Sequence, residues 1–197
     1  IMKKLTKKSL IVLGLCTSLL GFANDKKETF KEKEPKVTSM SFESVKQGSK
    51  LLIKDRNGLV LYKESIAKTG KYSKGFDLTS LPNGDYYFEL DSELKIVVIP
   101  FTVTLNEVTF NKEEENTVFK PVLRVKDEMV YLSRPSFDET PIKVKIFFSE
   151  NNDLIVSEKF GKESEVKRIY DFSKSKKGNY VFVFESNGRT YSKSVKM

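Results

Sequence analysis

The sequence contains no histidine and no tryptophan, and its one cysteine is Cys16. A Ser-His-Asp triad and a cysteine-histidine pair need the missing side chains, as do zinc sites built from nitrogen and sulfur ligands. Paired carboxylates remain available, but a glycosidase also needs a cleft that holds its sugar, and small sandwich domains seldom provide one. No spacing singles out a serine with a lysine base. We therefore predict a non-enzymatic protein with no catalytic residue, no metal site and no cofactor.

The N-terminus has the pattern of an export signal. Four lysines precede an apolar run over residues 9–20, and small residues lead up to Ala23, which predicts a signal peptide over residues 1–23. A membrane anchor is the alternative, but the run is shorter than the roughly 20 residues of a membrane span and polar residues follow at once. Cleavage before Cys16 would make a lipoprotein, although Leu15 is unusual there. We expect an exported protein of the periplasm, cell surface or extracellular space, which contacts the membrane only through its signal.

The charge of the expected mature chain is modest. Removing the four lysines of the signal from 35 basic residues leaves 31 against 27 acidic residues, a net charge of +4. The two signs are interspersed, which favours a solvated surface over a nucleic-acid site. No cysteine remains after cleavage, so an apolar core must hold the fold without disulfides. We predict a flexible leader over residues 24–36 and, as partner, a protein or another envelope component.

Alternating apolar and polar residues recur about every ten positions, are rich in Val, Ile, Phe and Tyr, and are separated by turn-forming clusters. This pattern is typical of antiparallel sheets and predicts an all-β fold. Examples of the expected strands are 50–54, 59–64, 85–90 and 95–104 in the first half, and 143–148, 154–160, 179–185 and 190–195 in the second half.

Two halves of the chain resemble each other. Residues 53–61 align with residues 148–156 at a spacing of 95, and residues 77–90 align with residues 171–184 at a spacing of 94. This order and register predict a duplicated module. The charged stretch 111–116 lacks apolar residues, as linkers do. We therefore expect a first β-sandwich over residues 37–110, a linker over 111–116 and a second β-sandwich over 117–197.

A Gly-x-Tyr-x-Phe pattern occurs once in each half. Tyr86 and Tyr180 stand two residues after Gly84 and Gly178, at the start of a late strand. In immunoglobulin-like sandwiches a tyrosine at this place bonds back to the backbone and fixes the corner between the sheets. The pattern predicts two tandem immunoglobulin-like or fibronectin-III-like sandwiches in which these four residues form tyrosine corners.

Turn residues follow an early strand in both halves. Asp55, Asn57 and Gly58 in the first half, and Asn152 and Asp153 in the second, are the residue types that hairpin turns require. Their oxygens could also attract calcium, but each run is too short for a self-contained calcium loop. We predict turns here.

Two further binding modes remain open. Sugars rest on exposed aromatic rings, and four tyrosines are candidates for exposure: Tyr62, Tyr72, Tyr87 and Tyr131. Edge strands of a sandwich could accept a strand from a partner protein, unless lysines such as Lys143 and Lys145 guard those edges.

The motifs in residues 52–101 are Asp-x-x-Gly between two strands, Asp-Leu, and Leu-Pro-Asn-Gly-Asp-Tyr-Tyr-Phe. This order resembles exported immunoglobulin-like modules of Bacteroidetes, including the C-terminal sorting domains of type IX secretion, and it returns in weaker form from residue 146 to the end. The last strand, with Lys193 and Lys196, is similar to the lysine-bearing last strand of those domains. The resemblance implies two functions: a structural, adhesive or protein-binding module, or alternatively a secretion substrate whose C-terminal module is its sorting signal.

Overall fold

The structure is a computed structural model that describes residues 37–197, so the predicted signal peptide and leader lie outside the described residues. Within this part the fold is all-β, and every strand pair is antiparallel. The strands are β1 (Val37–Val45), β2 (Lys50–Asp55), β3 (Val60–Ser65), β4 (Gly70–Asp77), β5 (Gly84–Asp91), β6 (Lys95–Thr104), β7 (Glu107–Phe110), β8 (Asn116–Phe119), β9 (Val122–Lys126), β10 (Met129–Pro135), β11 (Ile142–Phe148), β12 (Asp153–Phe160), β13 (Glu165–Asp171), β14 (Asn179–Ser186) and β15 (Arg189–Lys196).

Strands β1–β8 form the first module. Its small sheet pairs β1 with β4, and its large sheet has the order β3-β2-β5-β6-β7, with β8 also pairing with β6. Alternate residues of each strand point inward, as the period of a strand requires. The core between the sheets is apolar and contains Met40, Val45, Leu51, Ile53, Ile66, Phe76, Leu78, Tyr86, Phe88, Leu90, Phe101 and Val103.

Strands β9–β15 form the second module. Its small sheet has the order β13-β10-β9 and its large sheet the order β12-β11-β14-β15. Strands β10–β15 thus repeat the pairing of β1–β6, and the fold is a tandem of fibronectin-III-like sandwiches. The second core contains Val130, Leu132, Ile142, Val144, Ile146, Phe148, Phe160, Val166, Phe172, Tyr180, Phe182, Phe184 and Val195.

The sheet register corrects the predicted alignment of the first repeat segment. Ile53 lies opposite Phe88, and the matching residue Phe182 lies opposite Ile146, so Ile53 corresponds to Ile146 at a spacing of 93 and not to Phe148. The turn that follows β11 is one residue longer than the turn that follows β2. From the bulges in β3 and β12 onward, equivalent residues of the two modules are therefore 94 positions apart. Sequence comparison aligned the similar turn residues, whereas the side chains facing the core set the true register.

The connection between the modules contributes to the first sheet. Lys112–Glu114 form a short 3-10 helix, and β8 then pairs with the beginning of β6. The predicted linker over residues 111–116 therefore ends inside β8, and the chain passes to the small sheet of the second module only at Val122.

Candidate interaction surfaces

Both tyrosines predicted at the sandwich corners bond back to the backbone. The Tyr86 hydroxyl donates to the carbonyl oxygen of Pro82 at 2.8 Å, and the Tyr180 hydroxyl donates to that of Lys176 at 2.7 Å. Both rings are buried in the cores of their modules. Each bond closes the turn before the strand, so these residues determine where β5 and β14 begin.

The glycines of the two corners share a backbone conformation but not an environment. Gly84 and Gly178 have φ values of 159° and 153°. A Cβ atom at Gly84 would lie 3.7 Å from the Tyr86 ring, an ordinary contact, whereas a Cβ at Gly178 would lie 2.6 Å from the Phe148 ring. The second corner is therefore much more tightly packed.

The predicted turn residues are engaged within their own turns. Oδ1 of Asp55 accepts from the backbone N–H groups of Asn57 and Leu59, both at 2.9 Å, and Gly58 adopts a φ of 83°. In the second module Asn152 adopts a φ of 58°, and Asp153 is the first residue of β12. Over residues 37–197 there is no group of three or more acidic, His or Cys residues arranged to hold a metal ion.

Strand β15 carries the two lysines of the predicted sorting strand. Lys193 is partly buried and Lys196 is exposed. Strand β15 pairs with β14 along one edge, and no strand of the described region pairs with its other edge.

The large sheet of the first module has a buried outward face. Leu52, Glu89 and Ile96 lie on this face, outside the core of their own sandwich, yet each is no more than 9% exposed. Glu89 accepts a hydrogen bond from Arg189, at the start of β15 in the second module. The second module thus rests with the β14–β15 end of its sandwich on the outward face of the first module, a region that we call the junction.

Glu89 is the centre of an ionic triad in the junction. Its Oε2 accepts from Lys54 Nζ at 2.6 Å, and its Oε1 accepts from Arg189 Nη2. Desolvation acts to raise the pKa of Glu89, but the hydrogen bonds from Arg189 and Lys54 outweigh it and hold this pKa below its ordinary value. The carboxylate is therefore charged and buried, and displacing the second module would remove Arg189 and leave Lys54 as its remaining cationic partner.

A buried cation of the second module also contacts the first module. Arg134 is 1% exposed and donates from Nη1 to the Thr140 carbonyl at 3.0 Å and from Nε to the Phe119 carbonyl at 3.3 Å. Phe119 is the last residue of β8, and Lys120, which follows it, pairs with Asp91 of β5. Charged groups thus hold the junction from both modules.

Sequence reasoning missed the residues of the junction. Glu89 and Arg189 occupy strand positions at which a charged residue ordinarily faces water, and the alternation of β5 predicts that Glu89 points away from the core. No feature of the local sequence distinguishes such a residue from a solvated one, because its burial depends on the other module.

The outward face of the corresponding sheet in the second module is not covered by the described residues and has an apolar centre. The Lys145–Glu185 ion pair lies beside this centre. Lys143 and Lys145 belong to the central strand β11, so they do not guard an edge. The centre itself holds Phe147, Val181 and Val183, all partly buried. Val183 stands where Glu89 stands in the first module, because Phe182 and Phe88 correspond. The bulged edge strand β12 extends this patch with Leu154 and Ile155, which are 53% and 52% exposed. We call these five residues the apolar face.

A different patch lies on the small sheet of the second module. Tyr131, in the central strand β10, lies between Arg124 of β9 and Ile169 of β13. Tyr131 is 38% exposed and Ile169 is 63% exposed. Of the four tyrosines considered for sugar contact, Tyr62, Tyr72 and Tyr87 are less exposed than Tyr131.

In the described region no helix is long and apolar enough to span a membrane. No protein-family model matches the chain, and no curated protein matches it. Among solved structures the chain is similar to a structure described as a tetra-tandem repeat in the extending region of a large adhesion protein, at 16% identity and a TM-score of 0.28. The match covers 81% of this chain and 44% of that chain, so this chain spans less than half the length of the matched structure.

Proposed function

We propose that this protein is an exported, non-catalytic binding module that attaches to a protein of the cell envelope or surface through the apolar face of its second module. The observation that carries the proposal is the junction. In the first module the same outward face buries Leu52 and Ile96 and contacts the second module through the Glu89–Arg189 ion pair. Its counterpart in the second module offers Phe147, Val181 and Val183 without a cover from the described residues.

The neighbouring edge strand supports this proposal. Leu154 and Ile155 are exposed beside a bulge in β12, and the corresponding residues Val60 and Leu61 are 45% and 39% exposed beside a bulge in β3. Exposed apolar side chains on a sheet edge favour association with a partner chain. Both modules expose apolar residues at these equivalent positions, so the exposure is a property of the repeated module and not of one irregular loop.

A crosslinking experiment tests the apolar face. A photoreactive amino acid at Val181, in protein exported by its native host, is expected to capture a protein partner, and Val183→Lys is expected to reduce the yield at least fivefold because the ammonium group would have to be desolvated. The matched control is Leu61→Lys on the first module, which should leave the yield at Val181 unchanged. Equal yields for wild type and Val183→Lys would refute the proposal.

The sorting function is a second candidate, and the open edge of β15 favours it because a receptor could add a strand beside Lys193 and Lys196. A reporter fused between a signal peptide and residues 117–197 is expected to reach the cell surface under this alternative. Retention of the reporter in the periplasm would exclude it. Replacing both lysines by glutamine is the matched control, since it keeps the strand and removes the charges.

A further inference from the structure

The small sheet of the second module presents the Tyr131 patch on the side of the sandwich opposite the apolar face. The side chains in this patch come from one row across the sheet, Arg124–Tyr131–Ile169. Around Tyr131 the sheet forms a shallow hollow of about 510 Å³, lined by Tyr131, Leu132, Lys167, Arg168 and Ile169. The hollow is open to solvent, and Arg124 lies beside it on the other side of Tyr131.

The backbone of this region limits the kind of ligand. Strand β10 pairs with β9 on one side and with β13 on the other, so its N–H and C=O groups are already used. A partner strand cannot add beside Tyr131. Recognition must therefore depend on side chains that stand on the sheet surface.

The size of the face suits a ligand of a few sugar rings. Three strands about 4.8 Å apart, with about 3.4 Å per residue, give a face of a few hundred Å².

The charges around Tyr131 favour an anionic ligand. Arg124 is its direct neighbour on β9, and Lys126, Lys167 and Asp171 lie one step diagonally from it. Lys126 pairs with Asp127, whereas Arg124 makes no ion pair with any of the described residues. Lys167 pairs with Glu165 at 2.7 Å, but the two side chains are 72% and 42% exposed. Such a surface pair contributes little free energy, so Lys167 can exchange its partner for a ligand carboxylate.

We propose that the Tyr131 patch binds an acidic polysaccharide. The apolar face of a sugar ring rests on the Tyr131 ring and Ile169, and the carboxylate of a uronic acid accepts hydrogen bonds from Arg124 and Lys167. A tyrosine offers an apolar ring with a polar end, which suits a ligand that is itself both apolar and hydroxylated. The guanidinium of Arg124 supplies paired donors with the geometry of a carboxylate.

A binding titration with a protein of residues 37–197 tests this site. The probes are an oligosaccharide of uronic acids and the same oligosaccharide with its carboxylates reduced to alcohols. We expect binding of the acidic probe only, with an affinity that falls as salt is added. Tyr131→Ser should weaken it at least fivefold and Arg124→Gln at least threefold, and circular dichroism should show an unchanged fold for both variants.

The matched control is Leu154→Ser, which removes an exposed apolar side chain from the apolar face and should leave the sugar affinity unchanged. Equal affinity for the two probes, or an unchanged affinity in Tyr131→Ser, would overturn the proposal. It would also be overturned if anionic lipid vesicles or polyglutamate bound through Tyr131 while the uronic acid probe did not. Because the crosslinking test uses the other sheet, this site and the proposed function can fail separately.

Discussion

The two modules share their strand order and their inward-facing residues but differ on their outward faces. On the large sheet, Glu89 of the first module and Val183 of the second occupy equivalent positions, one covered by a neighbouring module and the other uncovered by the described residues. The core sets the fold and tolerates little change, whereas outward residues are free to diverge. The difference shows that the specialised surfaces of this protein lie outside its cores.

The small sheets differ in the same way. Asp77 and Asp171 end β4 and β13, and each side chain accepts from the N–H group two residues on. Counted from these aspartates, Gly75 corresponds to Ile169, and Ser39, the neighbour of Gly75, corresponds to Tyr131. The first module thus has a small, polar surface where the second presents an aromatic ring.

The largest expected effect separates the two corners. Gly178→Ala should lower the free energy of unfolding by about 3 kcal/mol, because the new Cβ meets the Phe148 ring at 2.6 Å and the φ of 153° disfavours alanine. Gly84→Ala should cost about 1 kcal/mol, since its Cβ makes only an ordinary contact with Tyr86 and only the backbone conformation opposes alanine. Urea denaturation of both variants measures the difference, and equal losses would contradict the distinct packing of the two corners.

The second prediction concerns the junction. Glu89→Gln should lower the free energy of unfolding by about 2 kcal/mol, because Lys54 and Arg189 lose a buried countercharge while remaining partly solvated. The two modules should then unfold in separate steps in calorimetry, where the wild type unfolds in one. Glu185→Gln in the second module is the control, since its carboxylate pairs with Lys145 at a more exposed position. A single transition in Glu89→Gln would contradict the coupling.

The junction also predicts a dependence on pH. The pKa of Glu89 is lower in the folded protein than its ordinary value of 4.5. Its contribution to stability is therefore fully present above pH 4.5 and is lost as the pH falls through the folded pKa. The difference in stability between wild type and Glu89→Gln should shrink below pH 4.5, as measured by urea denaturation at several pH values. A stability difference between wild type and Glu89→Gln that grows as the pH falls would contradict this prediction.

The smallest expected effect tests what the modules share. Tyr86→Phe and Tyr180→Phe each remove one hydrogen bond to a backbone carbonyl and should each lower the free energy of unfolding by about 1 kcal/mol. Thermal unfolding of the two variants measures this. Tyr131→Phe is the matched control and should change stability by less than about 0.5 kcal/mol, because its ring lies on the surface.

Much of the fold could be predicted from the sequence. The predicted strands at residues 85–90, 95–104 and 143–148 match β5, β6 and β11 to within about a residue at each end. Seven strands were not among those named from the sequence: β1, β4, β7, β8, β9, β10 and β13. Strands β7 and β8 have only four residues each. The other five form the small sheets, and in β9 and β13 exposed residues on both faces weaken the alternation. The repeat register was two residues off in β11 because the turns differ in length.

The candidate sites were predictable only in part. Tyr131 could be proposed as an exposed ring, but its neighbours Arg124 and Ile169 come from two other strands, and only the sheet register brings them together. The all-β class, the duplication and the corner residues can be derived from the sequence because they depend on local periodicity and turn chemistry. Which charges are buried in the junction, and which faces stay open, depends on how one folded module packs against the other, and local sequence patterns do not encode that packing.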